Sequence, residues 1–461
     1  PVRNPATGEL IGTAADCGPQ DASAAVDAAA AALPGWAGRT AYERAAVLYR
    51  AHHLMLERAE NLARLMTSEQ GKPLRAARNE VAYAADFLIW YAEEAKRVYG
   101  TVIPAPRGDQ RLVTLRQPVG VVAAITPWNY PISMITRKVA PAVAAGCTIV
   151  LKPAAQTPLC AAETFRVLHD AGLPAGVANL VTTSDPAPVA DVLLDDHRVR
   201  KLTFTGSTDV GRVLAARAAA TMKRVSLELG GHAPFIAFAD ADPALAAKGA
   251  ALVKFLNTGQ ACICPNRIYV QRPILEPFLA TLTARVRGLR LGNGLDDGVS
   301  VGPLIDGQAL AKMQRQVADA QDKGARVLTG GVRSTADGHA AGNFFAPTVL
   351  TDVTPAMDIY REETFGPIAP VIAFDTEQEA IELANDTAYG LAAYLYTRDL
   401  DRAVRVAEAL RFGIVGVNDI NPTAAAAPFG GVKDSGLGRE GGAAGIEEYL
   451  DTKLVGISVG R

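Results

Sequence analysis

Apolar residues recur at helical spacing through most of residues 20–100. Tyr42-Glu43-Arg44-Ala45-Ala46-Val47-Leu48-Tyr49-Arg50 is typical of this Ala-rich stretch, which ends at Gly100 and predicts packed amphipathic helices. His52, His53, Phe87, Trp90 and Tyr91 fall within it and read as members of its packed faces. From residue 119 the period changes. Short β-branched runs, Val119 to Ile125, Cys147 to Leu151, Val177 to Val181 and Arg200 to Phe204, alternate with Ala-rich helical segments. Strands that are apolar on both faces and separated by helices predict a parallel sheet covered on both sides. A second series follows Gly231, with strand candidates Ala233 to Phe238, Arg267 to Val270, Arg326 to Leu328, Pro370 to Phe374 and Leu391 to Tyr396. The expected fold is α/β, with two doubly wound parallel-sheet domains.

A chain of 461 residues is long for one hydrophobic core, which agrees with two domains. The Gly230-Gly231 pair is a natural junction, because glycine accepts backbone angles closed to other residues. The expected boundary between the two domains therefore lies at 230/231. A net charge of −2 and scattered Lys and Arg supply no basic field, so nucleic acid is not an expected partner. No apolar run reaches membrane-spanning length, and Pro1-Val2-Arg3-Asn4-Pro5 is unlike a signal peptide; its start without Met predicts a short preceding piece. Five cysteines at irregular positions do not make a disulfide framework, and a reducing cytoplasm fits them best.

The densest chemistry lies in Val253-Lys254-Phe255-Leu256-Asn257-Thr258-Gly259-Gln260-Ala261-Cys262-Ile263-Cys264-Pro265-Asn266-Arg267. Cys262 follows a Gly-bearing turn, and Glu228 stands between leucines in Leu227-Glu228-Leu229-Gly230-Gly231. A thiol and a carboxylate are the minimum equipment for covalent catalysis through a thioester. A small buried hydrophobe is the plain alternative for Cys262 and the assignment for Cys17, Cys147 and Cys160; a buried ion pair is the alternative for Glu228. Cys264 makes a C-x-C with Cys262, too short for a metal site without two further ligands, so no metal is expected. Thr205-Gly206-Ser207 opens a helix after a strand. Such a turn exposes unpaired N–H groups that suit a phosphate, although Ser207 reads equally well as an N-cap.

Pro127-Trp128-Asn129-Tyr130-Pro131, Leu151-Lys152-Pro153, Phe204-Thr205-Gly206-Ser207, Glu362-Glu363-Thr364-Phe365-Gly366-Pro367 and Pro428-Phe429-Gly430-Gly431 complete a series. Together with the Leu-Glu-Leu-Gly-Gly and cysteine segments, this order resembles the aldehyde dehydrogenase superfamily along nearly the whole chain, and its succinate-semialdehyde dehydrogenase branch in particular.

The resemblance implies a cofactor-binding domain at 1–230, a catalytic domain at 231–413 and a return of 414–461 to the cofactor domain. It also implies a small oligomerisation arm, from a strand at about 103–117 and the C-terminal strand within 414–461, serving a homodimer or homotetramer. Cys262 becomes the nucleophile, Asn129 and the Cys262 N–H the oxyanion donors, and Glu228 the base that releases the acid; such a base argues against acyl transfer to coenzyme A. Trp128, Lys152, Ala155, Gly206, Ser207, Leu229, Glu363 and Phe365 fall at cofactor positions. Many NAD-preferring members carry a glutamate where this chain has Ala155, so NADP is favoured and NAD accepted. Arg137, Leu256 and Thr423 fall at substrate positions. The branch uses an arginine at 137 for a distal carboxylate, and Arg137 stands roughly 12 Å along a helix from Asn129. Leu256 replaces a second arginine of the branch and opens the reading to broader aliphatic aldehydes or hydroxyaldehydes. Cys264 is either a redox partner of Cys262 or an inert neighbour. The remaining alternative is a non-catalytic cofactor-binding homologue.

Overall fold

The computed structural model describes residues 1–460. Four helices, Pro19–Ala37, Ala41–Glu57, Ala59–Gln70 and Leu74–Glu94, occupy the Ala-rich region. Thr40 and Glu43 form a reciprocal capping box at the second of these, satisfying N–H groups that a helix start leaves unpaired. Trp36, Phe87 and Tyr91 are buried in the core between these helices and the first sheet.

The first sheet has six strands in the order Gly436–Leu437, Arg224–Glu228, Val199–Thr205, Val121–Ile125, Thr148–Lys152 and Ala178–Leu180. All are parallel except Gly436–Leu437. The second sheet has seven, in the order Arg326–Thr329, Thr348–Thr351, Ile368–Phe374, Pro265–Gln271, Ala233–Ala237, Ala392–Tyr396 and Ile414–Val417, parallel apart from the first. The central strands Val121–Ile125 and Ala233–Ala237 are buried along their full length, as helices on both faces require. A separate antiparallel sheet joins Leu450–Ser458 to Gln110–Pro118 and Val102–Ile103. Among the described residues no helix is long and apolar enough to cross a membrane.

Two differences from the expected elements matter. Arg224–Glu228 is a strand of the first sheet and carries Glu228 at its C-terminal end. Its Arg-Val-Ser-Leu-Glu sequence, charged at both ends, hides a strand whose last residues are fully buried. Ile414–Val417 pairs with Ala392–Tyr396 in the second sheet, so residue 414 does not begin the return. The first-sheet pairing resumes at Gly436–Leu437. A four-residue strand interrupted by glycine leaves too little periodicity to register in sequence.

Candidate active site

The loop before Cys262 is bent by three successive left-handed residues, Asn257 (φ 49°), Thr258 (φ 60°) and Gly259 (φ 74°). For the first two this conformation costs roughly 1–2 kcal/mol each, and specific contacts hold it. Asn257 Nδ2 donates to the carbonyls of Asn129 (2.8 Å) and Gln260 (3.1 Å), while Thr258 Oγ1 accepts from Gly302 N–H (2.9 Å). On the far side, the Tyr394 hydroxyl donates to the Ile263 carbonyl (3.0 Å). Gly231 lies against this loop so closely that a Cβ there would sit 2.1 Å from the Cys262 carbonyl oxygen. The Leu-Glu-Leu-Gly-Gly segment and the cysteine segment therefore meet at a contact only glycine permits.

Cys262 stands where two clefts meet, lining both. Its backbone N–H donates to no group among the described residues. Asn129 Nδ2 donates one hydrogen to the Gln260 carbonyl (3.1 Å), leaving its second for another acceptor. Two donors beside a thiol are the arrangement that stabilises an oxyanion growing on an attacked carbonyl. Burial pushes the Cys262 thiol up, and Arg137 opposes that shift.

One cleft, of about 620 Å³, is lined by Trp128, Gly206, Ser207, Leu229, Glu363 and Phe365. A Cβ on Gly206 would lie 2.5 Å from the Phe204 ring, so only a bare backbone keeps this turn open. Ser207 is the N-cap of helix Thr208–Ala220, accepting from Val210 N–H, and the capped end faces the cleft. The oxygen of Thr205 is buried without a partner. An open glycine turn at a helix start, at the C-terminal edge of a parallel sheet, fits the pyrophosphate of a dinucleotide. Phe365 adopts a left-handed conformation (φ 53°) and meets Trp128 edge to face at 5.5 Å. Glu363 accepts from Gly231 N–H (2.9 Å), and burial pushes its carboxyl up to about 7. Lys152 and Ala155 lie outside this cleft. Lys152 ends strand Thr148–Lys152 with its ammonium on the Pro153 carbonyl (3.0 Å), burial lowers it to about 8, and Ala155 is exposed in the following turn.

The other cleft, of about 380 Å³, is lined by Arg137, Leu256 and Thr423 among others. Leu256 is partly exposed at the start of the strained loop. Arg137 lies in helix Ser133–Ala145, every residue of which is buried. Its Nη2 is 3.0 Å from Glu440 Oε2 and its guanidinium stacks on Phe429 at 4.0 Å. Nε and Nη2 nonetheless lack a hydrogen-bond acceptor, so the fork is charge-balanced but not geometrically satisfied.

Glu440 also accepts from Lys138. Burial pushes the Glu440 carboxyl up, but Lys138 and Arg137 outweigh that and hold it below the usual carboxylate range. Glu228 is buried with both oxygens unpartnered. Burial first and the Glu440 charge second raise it well above the usual range. The two carboxyls are thus driven apart in acidity, Glu440 toward the ionised form and Glu228 away from it, the pattern that separates acid and base roles.

Sequence reading missed Glu440 and Lys138, and with them Lys72 and Glu80. Lys72 Nζ donates to Glu80 and to the Asn129 carbonyl (2.7 Å), and Glu80 Oε1 accepts from the N–H groups of Ile132 (3.0 Å) and Ser133 (3.2 Å). This buried pair therefore pins both sides of the turn that presents Asn129. The available signal was the Arg137-Lys138 dipeptide in an apolar helix, which demands an acidic partner. Cys264 lines neither cleft. Its thiol is buried and donates to the Val253 carbonyl (3.3 Å), and all five cysteines are free.

A model of the aldehyde dehydrogenase family matches residues 1–455. A glutarate-semialdehyde dehydrogenase from Pseudomonas putida is 53% identical, covering 99% of this chain and 94% of its own. An NADP(+) succinate-semialdehyde dehydrogenase from Escherichia coli is 52% identical with the same coverage. Among solved structures, an NADP-dependent enzyme of E. coli matches with TM-score 0.97 at 52% identity, covering 99% of this chain and 94% of that one. A betaine aldehyde dehydrogenase from Staphylococcus aureus in complex with NAD+ matches with TM-score 0.97 at 37% identity, covering 100% of this chain and 92% of that one.

Proposed function

The chain belongs to the aldehyde dehydrogenase family, and from that premise we propose that it oxidises an ω-carboxylated aldehyde, of the succinate or glutarate semialdehyde kind, to the dicarboxylic acid. The observation that carries the substrate class is Arg137, a buried guanidinium with unsatisfied N–H groups in the cleft that ends at Cys262. Full-length relatives at about half identity act on such semialdehydes by name.

Cys262 attacks the aldehyde carbon from the smaller cleft as its thiolate, the thiol proton having passed to solvent water, and the Cys262 N–H and Asn129 Nδ2 donate to the oxyanion. In the larger cleft Gly206 and Ser207 would hold the pyrophosphate of NADP or NAD, and Glu363 and Phe365 its nicotinamide side; the cofactor, when bound, would supply the hydride acceptor. The remaining carbonyl is a thioester on Cys262. Glu228, once deprotonated, takes a proton from water as the water attacks that thioester, releasing the acid and the thiol.

Arg137→Lys tests the substrate reading while preserving the charge against Glu440. KM for glutarate semialdehyde is expected to rise roughly ten-fold through loss of the bidentate fork, with pentanal unchanged. Equal losses on both substrates would make Arg137 structural and remove the main support for a carboxylated substrate.

NADP is favoured because Ala155 presents no carboxylate to repel a 2′-phosphate and Lys152 ends the adjacent strand. Lys152 holds its proton below about 8. As pH rises through that value the cation is lost, so kcat/KM for NADP should fall relative to that for NAD, a ratio in which the pH demands of the chemistry cancel. A ratio flat from pH 7 to 9 would separate Lys152 from the phosphate.

The three-stranded sheet exposes Val102, Leu115 and Ile457 on one face and Ile103 and Leu454 on the other, apolar side chains that support its role as the arm of a homodimer or homotetramer. Five free cysteines support a reducing, cytoplasmic location.

A further inference from the structure

The smaller cleft carries one cation that no group among the described residues neutralises. Three positively charged side chains line it, Lys72, Arg75 and Arg137. Lys72 is paired with Glu80 and Arg137 with Glu440. Arg75 makes no ion pair or hydrogen bond among the described residues and is exposed at the cleft wall.

Its position also opposes the local field. Arg75 is the second residue of helix Leu74–Glu94, whose start has no side-chain cap and no acidic residue in its first turn. A cation there meets the positive end of the helix dipole, and no anion among the described residues offsets it. The same helix presents Arg75, Ala76, Asn79, Glu80 and Tyr83 to the cleft, a stripe at helical spacing. Arg75 and Tyr83 are eight residues apart, about 12 Å along the axis. Tyr83 is half-buried at one end of that stripe and Arg75 is exposed at the other. The cleft therefore has an outer, uncompensated arginine and an inner, buried one whose Nε and Nη2 have no acceptor.

We infer that Arg75 is a specificity-determining residue, which draws the terminal carboxylate of an anionic aldehyde to the mouth of the cleft and thereby favours ω-carboxylated over uncharged substrates. The inference rests on the substrate reading above and assigns part of that selectivity to an exposed residue of the cleft wall. A cleft of one sign with low-dielectric walls concentrates the oppositely charged substrate, and the effect is screened by salt because the group is exposed.

The test compares wild type, Arg75→Ala and Arg75→Glu on succinate semialdehyde, glutarate semialdehyde and pentanal, at ionic strengths of roughly 0.01 M and 0.15 M. At low salt, kcat/KM for both semialdehydes is expected to fall several-fold in Arg75→Ala and about ten-fold or more in Arg75→Glu. Pentanal and kcat should be unchanged, and the differences should shrink at the higher salt. Unchanged semialdehyde kinetics in Arg75→Glu, or equal losses on pentanal, would overturn the role of Arg75 while leaving the substrate reading intact. A wild-type enzyme that does not prefer the semialdehydes to pentanal would overturn the substrate reading and this inference with it.

Discussion

Cys262→Ala is expected to lose aldehyde oxidation by more than about 10⁴-fold, because the reaction passes through a covalent bond that alanine cannot form. Cofactor affinity should stay within a few-fold of wild type, since the larger cleft is built mainly from the glycine turn, Trp128, Glu363 and Phe365. Quenching of protein fluorescence by NADPH reads the second quantity independently of the first. The structure sharpens the contrast with Cys264, whose thiol is directed to the Val253 carbonyl and lines neither cleft. Cys264→Ala should remain active. An active Cys262→Ala with a dead Cys264→Ala would reverse the assignment.

Glu228→Gln is expected to separate the two halves of the reaction. Acyl-enzyme formation does not need the base in its water-activating role, so a pre-steady-state burst of NADPH survives, while steady turnover falls roughly 10²–10⁴-fold. Burial and the Glu440 charge raise the Glu228 carboxyl above the usual range. The wild-type deacylation rate should therefore increase with pH as the carboxyl ionises, and this limb should vanish in the variant. Turnover at the normal rate in Glu228→Gln would remove the residue from the mechanism.

The two sheet domains were legible because each buried parallel strand leaves a contiguous apolar run bounded by helical periodicity. Val121–Ile125 and Ala233–Ala237 are of this kind. Arg224–Glu228 and Ile414–Val417 were not, one because charges close both its ends and the other because it is short and interrupted by glycine. At the site, Cys262 behind its Gly-bearing turn and the Thr205-Gly206-Ser207 turn stood out from local sequence, whereas Asn129 entered only through the family resemblance. The acid that organises the interior did not. Glu440 meets Lys138 across 302 positions of sequence, and no local pattern marks a pairing of that range. Arg137 shows the same limit: the sequence pointed to a substrate cation, whereas its pairing with Glu440 and its stacking on Phe429 are consequences of tertiary packing. The opposite orientations of two thiols in one turn are likewise set by the left-handed Asn257-Thr258-Gly259 bend, a strained conformation stabilised by contacts with distant loops.

Turnover through the monothioester of a dicarboxylic acid on one cysteine is tested most directly by the intact mass of Glu228→Gln after mixing with NADP and glutarate semialdehyde. A single adduct with the mass of one glutaryl group, mapped by peptide analysis to Cys262 and absent when NADP is omitted, is the predicted result. A protein that consumes the aldehyde and forms NADPH while remaining unmodified, or that carries the adduct on Cys264, would contradict it.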